Sequence, residues 1–213
     1  HLGINALNAA HLALAAIHAQ RETFRDSDTV RVHPIITKGG SVVNSVPSDV
    51  RIEAYVRASN VPAILRTSQK VDLAFRAGAL ATGASVEIST TPGYLPAKYD
   101  SSLTELYRQN AASLIGEDNI IQLNHGTGCT DMGDVSQIVP TIQPSANATT
   151  GSGHGVDYRV DNYELAVTKA GKAMGMTLID LLSADGEKAK EISGSFDAPM
   201  TIDGYLNRMR SFR

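Results

Sequence analysis

A single cysteine, no tryptophan and few aromatics are the first features of this 213-residue chain. The lone Cys129 excludes a disulfide framework and any thiolate zinc knuckle within one chain. Aromatics make up 5% of the residues, too few for a platform that stacks single-stranded nucleic acid. Excess charge of one sign is missing as well. Nineteen Lys and Arg stand against 22 Asp and Glu, a formal charge of −3, which excludes a basic nucleic-acid footprint and a polybasic membrane patch. No apolar run approaches the ~20 residues that span a bilayer. What is present is 42% hydrophobic content, enough for a real core in one ordinary domain or two small ones.

Ile4, Leu7, Leu14 and Ile17 recur at helical spacing in an Ala-rich run, which predicts a helix from Ile4 to about Phe24. A strand is expected over Thr29 to Thr37, broken by Gly39-Gly40. Val50, Ile52, Ala54 and Val56 alternate with Arg51, Glu53, Tyr55 and Arg57, so a second strand covers Val50 to Ala58. Pro62 suits the first turn of a helix running to about Ala81, and Gly83 stops it. Ala84 to Ser89 is expected as a third strand. The order helix, strand, strand, helix, strand is an open-faced β-α-β-β-α-β sandwich short of its first strand. Thr91 to Pro96 has the composition of a domain linker. Beyond it, helices are expected over Ser101 to Leu114 and Tyr163 to Leu182. Turn-rich segments lie between them, and a short helix with a polar tail closes the chain.

Six histidines bear on chemistry. His11 and His18 are seven residues apart, about 10 Å along a helix, too far to share an ion, so a packing or interface role is favoured. His33, before Pro34 in a strand, reads as structural, and His1 carries no pattern. His125 and His154 sit in glycine-rich loops, where backbone approaches ligands; exposed turns explain that spacing equally well. Cys129 lies four residues from His125, yet sequence adjacency supplies neither a positioned base nor an oxyanion hole. A buried, inert thiol is expected there. Gly126, Gly128 and Gly133 fail as a dinucleotide fingerprint because no strong strand precedes them and no long helix follows.

Several segments together resemble one family. They are Gly3 to Ala10, Gly39 to Pro47, Ile52 to Ala58 and Thr130-Asp131-Met132-Gly133-Asp134-Val135-Ser136, followed by His154. In this order they resemble the dinuclear zinc peptidases and amidohydrolases that include aminoacylases and glutamate carboxypeptidases. The nearest branch is the p-aminobenzoyl-glutamate hydrolase-like one, and the likeness covers nearly all of residues 2–185. It implies an α/β protein: an α+β lid, the open-faced sandwich lacking its first strand, over residues 1–94, and the C-terminal portion of an α/β zinc-peptidase domain over 97–213. Carried over residue by residue, His154 matches a metal ligand. Asn44, Arg57, Thr130 and Asp131 match substrate-contacting positions, Asn44 often acting across a dimer. No catalytic residue carries over, because the family draws its general-base glutamate and remaining ligands from a segment before the lid.

The resemblance therefore implies a hydrolase of N-acyl amino acids or peptide-like amides, with two divalent ions, zinc or manganese, in the complete enzyme. It implies a small-molecule amide substrate, a homodimer formed through the lid, no nucleic-acid or membrane partner, and a cytoplasmic location. With no initial Met and at most one metal ligand, the sequence is expected to be the later half of a protein nearly twice as long, inactive alone. The alternative, from a different class, is a non-catalytic dimerisation or binding module.

Overall fold

The computed structural model describes residues 1–123, 126 and 128–211. The chain divides into two compact units, the first over residues 1–96 and the second over residues 97–123 and 129–211. Both mix helices with small antiparallel ladders.

In the first unit α1 spans Ala6–Ala19. It starts two residues later than its apolar pattern predicts because Asn5 caps it, its side chain accepting from the Leu7 and Asn8 amides at 2.9 and 3.2 Å. It also ends sooner, giving way to single 3₁₀ turns at Arg21–Thr23 and Asp26–Asp28. Strands β1 (Arg31–Lys38) and β2 (Arg51–Arg57) pair antiparallel, with Arg31 opposite Arg57 at one end and Lys38 opposite Arg51 at the other. Helix α2 covers Val61–Thr82 between the two residues that define it. The Asn60 side chain accepts from the Ala63 amide at 2.9 Å, and Gly83 takes φ +75 as the C-cap.

Ile17 of α1, Val32 of β1 and Val71 and Ala74 of α2 are buried as one cluster, with Leu14, Phe24, Val56 and Phe75 packed around it. Removing each large aliphatic chain from water contributes about 1.5–3 kcal/mol. The helices approach closely because their facing positions are small: Ala9, Ala10 and Ala13 on α1, Ala74 and Gly78 on α2.

The third strand expected at Ala84–Ser89 is absent. Among the described residues the ladder of this unit consists of β1 and β2 alone. Alternating Ala84, Val86 and Ile88 prepare one apolar face, but a strand exists only where a neighbouring backbone completes its hydrogen bonds.

The second unit contains α3 (Ser101–Ile115), a one-turn α4 (Met132–Val135), the short pair β3 (Thr149–Thr150) and β4 (Arg159–Val160), α5 (Ala170–Ser195) and α6 (Ile202–Arg210). The Asp100 side chain caps α3 through the Leu103 amide at 2.8 Å. A π-helical turn, Glu164–Lys169, leads into α5. The long helix thus begins irregularly and runs further than expected, with a break at Ser183–Gly186, where Ala184, Asp185 and Gly186 are all left-handed. Helices α3 and α5 are joined by Asn110, whose amide donates to Thr177 Oγ1 at 3.2 Å and Asp180 Oδ2 at 2.7 Å. No helix among the described residues is long and apolar enough to cross a membrane.

Candidate functional site

His154 stands in the loop that joins β3 to β4. Thr149 pairs with Val160 and Thr150 with Arg159, so eight residues must reverse the chain between two very short strands. The reversal is tight. The Gly155 amide donates to Ser152 O at 2.7 Å and the Tyr158 amide to Gly155 O at 3.2 Å. Gly151 takes φ +84, and a Cβ there would sit 2.5 Å from Asp157 O and 2.9 Å from the Tyr158 nitrogen. Only glycine fits that position. His154 itself has φ +67 and is exposed. A left-handed non-glycine residue is uncommon and is held by its surroundings at some cost. The loop therefore presents one imidazole outward on a constrained backbone.

The Thr130–Ser136 motif faces two ways. Its inward members do structural work. Ser136 is fully buried, donating to Gly133 O at 2.6 Å and accepting from the Lys98 amide at 2.9 Å. Asp134 is engaged by Tyr205 of α6; burial first, then the charge of Asp134 and the hydrogen bond to it, push the Tyr205 hydroxyl up from its ordinary pKa. Its outward members are exposed. Asp131 opens α4 without capping it, leaving its carboxylate to solvent. Thr130 donates to Gln143 Oε1 at 3.0 Å, and Tyr99 donates to the same oxygen at 3.1 Å. Gln143 and Tyr99 were not legible as partners of Thr130, since 13 and 31 residues separate them from it and no local pattern joins them.

Asn44 and Arg57 belong to the first unit. Asn44 is exposed in the loop between β1 and β2, beside a turn closed from the Ser45 amide to Val42 O at 3.4 Å. Arg57 ends β2, half-buried, its guanidinium 5.1 Å from the Tyr55 ring centroid. The register puts the two at opposite ends of the hairpin. Lys38 and Arg51 mark the loop end, and Arg57 lies six residues further along, about 20 Å at the usual strand rise. A small substrate does not bridge them within one hairpin.

Two other expectations meet the structure differently. Cys129 is exposed, which corrects the expectation of a buried thiol; Gly128, Thr130 and Asp131 beside it are exposed as well. His125 lies outside the described residues. No three His, Cys, Asp or Glu side chains among the described residues form a group that could hold a metal ion.

No family model matches the chain. Two curated proteins do resemble it. One is the Xaa-Arg dipeptidase of Mus musculus, 34% identical over 190 residues, covering 84% of this chain and 43% of the dipeptidase. The other is the Xaa-Arg dipeptidase of Homo sapiens, 33% identical with the same coverage. The chain spans less than half the length of these relatives. Over those 190 residues the chain is similar to mammalian Xaa-Arg dipeptidases.

Proposed function

We propose that this chain forms part of a metal-dependent amidohydrolase that cleaves the amide bond of a dipeptide or N-acyl amino acid. The likeness to two Xaa-Arg dipeptidases over most of the chain carries this reading. Residues 1–94 act as the lid and dimerisation domain, and residues 97–213 contribute to the catalytic domain.

Zinc or manganese would draw on His154, whose neutral imidazole suits such ions. Among the described residues no three His, Cys, Asp or Glu side chains gather around it, so this donor set does not fit a two-metal centre. What the chain supplies is binding. Thr130, oriented by Gln143, and Asp131 offer a hydroxyl and a carboxylate to the substrate. The Arg57 fork suits a carboxylate, and the Asn44 amide donates to a carboxylate or oxyanion. Because Asn44 and Arg57 are ~20 Å apart along the hairpin, Asn44 serves the site of a second copy, in a cytoplasmic homodimer.

Hydrolysis of an Xaa-Arg dipeptide and of an N-acyl amino acid, with added zinc or manganese, tests the reading. The 213-residue chain alone is expected to give no turnover. Joined to the part of the mouse dipeptidase that lies outside the matched segment, it gains turnover, which His154→Ala abolishes. Full activity from the 213 residues alone, or a folded chimera indifferent to His154→Ala, overturns these roles. Sedimentation reads the dimer separately, and a strict monomer at high concentration removes that part.

A further inference from the structure

The first unit contains a cavity of about 230 Å³ between the 3₁₀ turns after α1 and the first half of α2. Its wall includes Arg25, Arg66 and Lys70, with Asp28 as the one carboxylate. Three cations against one anion leave a local formal charge of +2, in a chain whose total is −3. Two of the cations are fixed in place. Arg66 Nη2 donates to Asp28 Oδ2 at 2.8 Å, which commits one of five guanidinium N–H groups. Lys70 Nζ donates to Thr23 Oγ1 at 2.6 Å and Thr23 O at 3.1 Å, and sits 5.6 Å from the Phe24 ring centroid. Neither Lys70 nor Arg25 has a carboxylate of its own in the wall.

The surroundings are built rather than loose. Thr67, which lines the cavity, is 3% exposed, and Asp28 is 9% exposed. Thr29, between the wall residues Asp28 and Val30, is β-branched yet has φ +45, and its hydroxyl is buried without a partner. Left-handed backbone is a genuine outlier for a β-branched residue, and a buried unpaired hydroxyl is rare enough to need a cause. A solvated surface ion pair explains Arg66 with Asp28. It does not explain two further basic residues in the same wall.

We propose that this cavity binds a tetrahedral dianion of phosphate type, as inorganic phosphate or as the phosphate group of a small phosphomonoester. Its net +2 matches a dianion, and guanidinium and ammonium groups bind phosphate through charge-assisted hydrogen bonds. At ~30 Å³ of liquid volume per water, the space holds about eight waters. That accommodates a phosphate with part of its hydration shell. The assignment is independent of the hydrolase reading and of any metal.

Titration of the 213-residue protein with inorganic phosphate, against chloride at equal ionic strength, tests it through the amide resonances of Arg25, Thr67 and Lys70. Phosphate gives saturable shifts and chloride does not. Lys70→Gln weakens binding about tenfold, the loss of one hydrogen bond to a charged group. Asp28→Asn keeps an acceptor for Arg66 and removes the repelling charge, so it tightens binding; an unfolded variant could not produce that gain. Phenyl phosphate distinguishes the sources: tighter binding than inorganic phosphate assigns the cavity to a phosphomonoester, and weaker binding assigns it to the free ion. Equal responses to phosphate and chloride, or phosphate binding unaltered by both substitutions, overturn the proposal.

Discussion

Gly78 of α2 lies against Ala13 of α1 so closely that a Cβ on the glycine would stand 2.7 Å from the Ala13 nitrogen and 2.8 Å from the Ala13 Cβ. The Ala9 carbonyl oxygen crowds the same point. Backbone cannot yield as a flexible side-chain tip can, so Gly78→Ala forces the helices apart and costs roughly 1–3 kcal/mol. Thermal unfolding of the first unit should move down by several degrees.

Gly175 of α5 is the contrasting case, because a Cβ there meets nothing within 4 Å. Gly175→Ala is expected to stabilise the second unit by about 0.5–1 kcal/mol through helix propensity and a less free unfolded chain. Urea denaturation followed by circular dichroism reads the change. A loss of stability would show that this helix face is packed against something.

The break in α5 makes the opposite use of glycine. Ala184 and Asp185 hold φ +50 and +58, a conformation that costs an L-residue roughly 1–2 kcal/mol. Ala184→Gly should therefore raise the denaturation midpoint. Asp185→Gly should gain less, because it also removes the exposed pair with Lys190 at 2.9 Å.

In the His154 loop two neighbouring substitutions should part company. Gly151→Ala collides with the Asp157 carbonyl and disrupts the reversal. His154→Gly relieves a left-handed residue and leaves the fold intact or slightly more stable. If His154 serves as a metal donor, the second variant in the active chimera keeps the unfolding temperature of the metal-free parent and loses zinc, as metal analysis after dialysis would show.

Glu105 carries the clearest pH signature. Its hydrogen bond from Arg108, then that from Gln109, lower its pKa from 4.5 to about 2. A depressed carboxylate contributes stability that is full above the unfolded value and is lost as pH falls through the folded one. Arg108 also pairs with Glu117; both carboxylates are exposed and Arg108 is half-buried, so salt screens the effect. Stability measured by urea between pH 5 and 2 should fall less steeply in Glu105→Gln than in the parent, and the difference should shrink in high salt.

Local chemistry was legible where a residue acts on its own neighbours. Pro62 and Gly83 bound α2 in the sequence as they do in space, since such start and stop signals work within one turn. Alternation in β2 likewise survives, because a half-buried strand needs period two wherever it is placed. Around His154 the glycines signalled a tight loop, but not the positive φ of the histidine or the closeness of Asp157 to Gly151.

By itself the sequence determined where the stop of α2 and the alternation of β2 fall, and how little cysteine, excess basic charge and long apolar run the chain carries. Tertiary structure decided matters that depend on distant partners. It left Ala84–Ser89 without a ladder, exposed Cys129, joined Tyr99 to Thr130 through Gln143, and placed Asn44 and Arg57 at opposite ends of one hairpin. The physical reason is the range of the forces. Propensity and capping act over a few residues, whereas strand pairing, burial and side-chain hydrogen bonds are settled by whatever the folded chain brings alongside.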